Sequence, residues 1–199
     1  MPENERILGI DPGSVITGWG LLELTGNHLI HVAHGTIATS TLQAQSDRLA
    51  QIFHGIQDVV RRYAPTAVSL EKVFLARNPQ SALKLGQARG VALLAAAEQK
   101  IVVSEYSATE IKVAVVGYGH ATKQQIQKMV AALLCLRGEI RADAADAIAA
   151  AVCHAHRQTL QSRLPQAGRG RTKVLRWRDY LEPAERDRLT QKSARLIPK

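Results

Sequence analysis

Four carboxylates, Asp11, Glu71, Asp143 and Asp146, restrict the folds open to this chain, because three of the four stand where an ordinary domain prefers an apolar residue. Asp11 closes the apolar run Ile7-Leu8-Gly9-Ile10, and Glu71 interrupts the run from Ala67 to Phe74. Asp143 and Asp146 lie three apart in the alanine-rich stretch RADAADAIAAAVCHAH. An ionised carboxylate removed from water is costly unless it is paired or bound to a cation. Several of them close together raise one another's pKa and stay ionised only if positive charge fills the space between them. The pattern asks for two strand ends and one helix face to converge on a cation. Taken singly, three of the acids have ordinary explanations. Asp11-Pro12-Gly13 is a common turn sequence, and Asp143 or Asp146 suits a solvated helix or the positive end of a helix dipole. Glu71, inside a buried-strand pattern, has no such explanation.

The surrounding pattern is that of an α/β chain. Apolar runs around residues 6–10, 18–24 and 29–37, separated by Asp-Pro-Gly and Thr-Gly-Asn, predict three antiparallel strands. Leu49, Ile52, Phe53, Ile56, Val59, Val60 and Tyr63 recur at helical spacing until Ala64-Pro65. A buried strand is expected from Ala67 to Phe74, a helix from Pro79 to about Lys100, and a short strand over Ile101–Tyr106. Ser107-Ala108-Thr109-Glu110 and Thr122-Lys123-Gln124-Gln125 both match the capping box and each opens a helix. The second carries an apolar stripe to about Arg137-Gly138, and a last helix covers about Ala142–Arg157. Helices between strands suit parallel pairing, so the order predicts a mixed five-stranded sheet flanked by helices. Ligands in such sheets gather at strand ends.

Charge divides the chain. Of 199 residues with net charge +9, residues 160–199 hold eleven Lys and Arg against four Asp and Glu, leaving residues 1–159 near neutrality at +2. We read a domain over 1–159 and a basic C-terminal extension over 160–199, with the composition either of a solvated, flexible end or of a nucleic-acid contact. Arg176-Trp177-Arg178-Asp179-Tyr180 interleaves cations with aromatics, as single-strand binding surfaces do. Cys135 and Cys153 fall in apolar helical patterns without metal-ligand spacing, as in a reducing compartment. Neither a signal peptide nor an eighteen-residue apolar span is visible, so the expected location is cytoplasmic, away from membranes.

On a helix, Asp143 and Asp146 project from one face, and the alanines at 142, 144, 145 and 147 let that helix lie close to a sheet. An oxygen-only donor set selects hard cations, Mg²⁺ or Mn²⁺. Two such ions about 3.5 to 4 Å apart serve in-line phosphoryl displacement, one at the attacking water and one at the leaving oxygen. His154 lies eleven positions after Asp143, a rise of about 16 Å along a helix, too far to share the ion. His120, in a glycine-rich loop, receives no role.

The stretches RILGIDPGSVITGWG, LEKVFLARNPQSALKLGQARGVALLAA, VVGYGHATK and ADAADAIAAAVCHAH, in collinear order over about residues 6 to 158, resemble the RuvC-type Holliday-junction resolvases, the crossover junction endodeoxyribonucleases. The resemblance implies an RNase H-like fold and a homodimer that makes paired, Mg²⁺-dependent incisions in four-way junction DNA beside the RuvA-RuvB branch-migration complex. It makes Asp11, Glu71, Asp143 and Asp146 the metal-binding catalytic acids. Some relatives carry histidine at the third acid, where this chain has Asp143. The resemblance also places Lys112 and Lys123 near the scissile phosphate and Phe74 against a base of the opened junction. Lys123, in the first turn of its helix, opposes the helix dipole, which a phosphate would explain. Ala82, Gly86 and Gly90 form a small-residue helix face that the resemblance puts at the dimer interface, and Arg77 and Arg89 beside it are candidate phosphate contacts. Two other readings stand beside this one. GIDPGS after a strand also resembles the phosphate loop of actin-like and sugar-kinase ATPases, which need a longer chain and a second such loop. A junction-binding protein without nuclease activity would not need the four intact acids.

Overall fold

The computed structural model describes residues 4–72, 78–136 and 138–163, the side chains of residues 161–163 excepted. All lie within one compact unit, Met1–Arg163. Of the basic extension expected over 160–199, residues 160–163 belong to the last helix, and the rest, from residue 164 onward, lies outside the described residues.

Strands β1 (Glu5–Asp11), β2 (Ile16–Thr25) and β3 (His28–Ala38) form the expected antiparallel meander. Gly26, at φ 63°, supplies the left-handed conformation that the two-residue turn between Thr25 and His28 requires. Helix α1 (Gln45–Tyr63) leads to β4 (Ala67–Glu71), which pairs parallel with β1. Helix α2 (Pro79–Glu98) leads to β5 (Val102–Tyr106), parallel to β4, and the sheet order is β3-β2-β1-β4-β5. Helices α3 (Ala108–Val116), α4 (Lys123–Leu133) and α5 (Ala142–Arg163) follow. Both capping boxes are formed, Ser107 with Glu110 and Thr122 with Gln125. Helix α4 stops short of Arg137-Gly138, because Cys135 turns into the left-handed region at φ 50°. Helix α5 continues beyond Arg157 to Arg163.

Strand alternation sorts the core into two layers. Leu8, Ile10 and Leu21 face α1 and α2, together with Ile52, Ile56 and the alanines of α2. Ile7, Leu22 and Leu24 face the other side, where α3 and α4 pack with α5. Toward the Asp11 end of β1, that second face of the sheet carries glycines. Gly9 pairs with Gly20 and Asp11 with Gly18 across β1 and β2. A Cβ added at Gly9 would lie 1.9 Å from the Ala147 carbonyl oxygen, and one at Gly18 would lie 2.0 Å from that of Asp143. On β4, the buried Ser69 hydroxyl donates to the Ala150 carbonyl oxygen at 2.7 Å. Helix α5 therefore rests on the sheet backbone against backbone, its alanines meeting glycines, and its first turn lies over the ends of β1 and β2.

The outer face of α2 is left open. Leu83 and Leu94 are exposed, and nothing approaches the space a side chain would take at Gly86 or Gly90. Among the described residues no helix is long and apolar enough to cross a membrane.

Candidate active site

The backbone contact of α5 with the sheet brings the four acids into one neighbourhood. Asp11 ends β1, Glu71 ends the neighbouring parallel strand β4, and Asp143 and Asp146 occupy the first turns of α5. All four are half-buried. Their electrostatics report the crowding. Burial, then the charges of Asp146 and Glu71, raise the Asp11 pKa from 3.8 to about 7, with Asp143 adding to the rise and Lys123 opposing it. Burial and Asp146 raise Glu71, against the pull of Lys112 and Lys123. Burial also raises Asp146, with Asp143 adding and Lys123 opposing. The site is thus short of positive charge.

Two lysines supply part of it. The Lys123 ammonium sits 2.6 Å from Asp146 Oδ2, a contact that raises the lysine's own pKa. The dipole-opposing lysine at the start of α4 therefore has its first partner inside the protein. Lys112, on α3, acts on Glu71. The same two lysines, Glu71 and Asp146 line a pocket of about 290 Å³ together with Ala108, Ile111, Ile126 and Ala149. Among the described residues no three His, Cys, Asp or Glu side chains are spaced as a finished metal cage. The donor chemistry still fits a hard cation: four carboxylates, three of them destabilised as anions, with Lys123 standing in for part of the missing charge.

Other candidates fall elsewhere. Phe74 and Arg77 lie outside the described residues. Arg89 forms an ion pair with Glu105 of β5. His154 accepts or donates a hydrogen bond with the Tyr106 hydroxyl at 2.9 Å, in keeping with its exclusion from the acid site. His120 is exposed. Ala82, Gly86 and Gly90 lie on α2, the two glycines on its open face. Sequence reasoning missed the part played by Gly9, Gly18 and Ser69, which set the height of α5 above the strands.

A mixed sheet in the order 3-2-1-4-5, with acids at two adjacent strand ends and on a helix laid across them, defines an α/β domain of the RNase H-like class. A family model described as crossover junction endodeoxyribonuclease RuvC matches residues 7–154. The chain belongs to the RuvC family. It is 52% identical over 157 residues to the crossover junction endodeoxyribonuclease RuvC of Geobacter sulfurreducens, spanning 79% of this chain and 96% of that one. The corresponding protein of Geobacter metallireducens is 54% identical over 151 residues, 76% of this chain and 92% of that one. Among solved structures, RuvC of T. thermophilus in complex with a Holliday junction substrate superposes with a TM-score of 0.75 at 31% identity, covering 79% of this chain and 97% of that chain. The yeast mitochondrial Holliday junction resolvase Ydc2, 14% identical with a TM-score of 0.59 over 80% of this chain and 81% of its own, shares the fold.

Proposed function

We propose that this chain is a homodimeric, divalent-cation-dependent crossover junction endodeoxyribonuclease that resolves four-way DNA junctions by paired phosphodiester hydrolysis. The observation that carries this reading is the convergence of Asp11, Glu71, Asp143 and Asp146 beside Lys112 and Lys123, in a chain of the RuvC family. Two Mg²⁺ ions bound among the four acids, with Mn²⁺ as a substitute, would supply activation of water and stabilisation of the leaving oxygen. The protein's own contribution is placement. Glu71 and Asp11, at the ends of adjacent parallel strands, form one wall, and Asp143 and Asp146 on α5 form the other. Asp11 must give up its proton when a cation arrives, so loading is favoured by rising pH. Lys123 and Lys112 line the same pocket as Glu71 and Asp146 and would meet a scissile phosphate there.

The open face of α2, with exposed Leu83 and Leu94 flanking Gly86 and Gly90, supports a second copy of the chain as the partner that supplies the second incision. On the same reading the enzyme acts beside the RuvA-RuvB branch-migration complex. Neither alternative reading gains support. An ATPase would need a second phosphate loop, and a silent binding protein would have no use for acids held at such electrostatic cost. The test is incubation of the full chain with a synthetic four-way junction in Mg²⁺, Mn²⁺, Ca²⁺ or chelator. Nicks in Mg²⁺ and Mn²⁺ alone, sealed directly by DNA ligase, are expected of a hydrolysis leaving 3′-hydroxyl and 5′-phosphate ends. Undiminished nicking in chelator, or nicks that ligase cannot seal, would overturn it.

A further inference from the structure

The turn that follows Asp11 is held by a buried polar knot out of proportion to its size. Arg48 of α1 is 6% exposed, and among the described residues no carboxylate pairs with it. Its guanidinium donates instead to three neutral acceptors: the Ser14 carbonyl oxygen, Thr39 Oγ1 at 3.2 Å and Gln45 Oε1 at 3.2 Å. Thr39, 8% exposed, donates its hydroxyl to the Ser14 carbonyl at 3.0 Å and its backbone N–H to the Val15 carbonyl at 2.8 Å. Thr17, fully buried, donates its hydroxyl to the Gly13 carbonyl at 2.9 Å. Each residue from Gly13 to Val15 is thus tied by a buried side chain or its backbone.

A buried guanidinium without a counter-ion is costly. The hairpin between β2 and β3 closes in two residues, Gly26 and Asn27, whereas the link from β1 to β2 runs over four, from Pro12 to Val15. What distinguishes the first turn is that it leaves from Asp11. The charges that act on Asp11 are those of Asp146, Glu71, Lys123 and Asp143, and Arg48 is not among them. Arg48 is joined to Asp11 through the turn itself, by its bond to the Ser14 carbonyl three residues further along the chain. We propose that Arg48 and Thr39 are positioning residues, whose bonds to the β1–β2 turn hold the Asp11 carboxylate where it can share a cation with Glu71, Asp143 and Asp146. This rests on the reading of the four acids as a metal site.

Geometry and charge make different demands on substitutions. Arg48→Lys keeps the charge and loses the planar fork that reaches three acceptors, so it does not substitute for arginine. Thr39→Val keeps the shape and loses one hydroxyl, whereas Thr39→Ser keeps the hydroxyl. The experiment measures Mn²⁺ binding to the full-length chain, by loss of the free-ion electron spin resonance signal, for wild type, Arg48→Lys, Thr39→Val, Thr39→Ser and Asp11→Asn. Arg48→Lys and Thr39→Val are expected to weaken Mn²⁺ binding about tenfold or more, as groups that orient metal ligands do. Thr39→Ser is expected to bind as wild type, and metal-free junction binding to be unchanged in the Arg48 and Thr39 variants. A Thr39→Val protein that melts at lower temperature yet binds Mn²⁺ with wild-type affinity would overturn the proposal, leaving the knot a structural tie. Thr39→Val decides the matter alone if Arg48→Lys does not fold. Failure of the underlying site reading has a separate signature, Asp11→Asn binding Mn²⁺ as tightly as wild type.

Discussion

Burial and the charges of Asp146 and Glu71 hold the Asp11 carboxyl at a pKa of about 7, against 3.8 for a free side chain. Between those two values the folded protein keeps a proton that the unfolded chain has released. The contribution of this group to stability is therefore greatest below pH 3.8 and is lost as the pH rises through about 7. The metal-free protein is predicted to lose stability on the order of a few kcal/mol across that window through Asp11. Asp11→Asn removes the titration and should raise the melting temperature in chelator at pH 8 more than at pH 5. Equal shifts at the two values would show that Asp11 is not the strained group. At this scale the sequence was informative about the acids themselves, because a glutamate inside a buried-strand pattern has no structural use. It was uninformative about Arg48 and Arg89, because charged residues on amphipathic helices look solvated until the fold shows Ser14 or Glu105 beside them.

Among the elements, α5 decides whether the acids meet, and its height is set by what the sheet omits. A side chain at Gly18 would drive a Cβ to 2.0 Å from the Asp143 carbonyl oxygen. Gly18→Ala is predicted to cost about 1–3 kcal/mol in overpacking. It should also reduce cleavage more than the unfolded fraction explains, since the displaced turn carries Asp143. Denaturant melts alongside cleavage rates check this, and a rate loss matching the stability loss would reduce the glycine to packing alone. The strands, the two capping boxes and the helix periods were legible because each is a local pattern. The glycines were not, because a glycine in a strand marks a close approach without naming what approaches. Only the pairing of Gly9 with Gly20, and of Asp11 with Gly18, shows a furrow.

At the scale of the whole molecule, a nearly neutral domain with an acidic site must hold a polyanion. Part of the solution is local, in Lys112 and Lys123, and part lies in composition, since residues 160–199 carry a net charge of +7. Truncation after Arg163 is predicted to weaken junction binding and flatten its dependence on salt while leaving cleavage chemistry intact. An unchanged salt slope would make the extension a bystander. Leu94→Glu, on the open face of α2, is predicted to convert the protein from dimer to monomer by light scattering, with the paired incisions uncoupled. A dimer that survives it would place the interface elsewhere. The central claim is that the four acids at two strand ends and one helix face form the nuclease centre of this RuvC-family chain. Its most direct test is cleavage of a synthetic four-way junction in Mg²⁺ by wild type and by Asp11→Asn. Symmetric nicks from the wild type, none from the variant, and junction binding by both are expected; cleavage that survives in the variant would place the nuclease centre elsewhere.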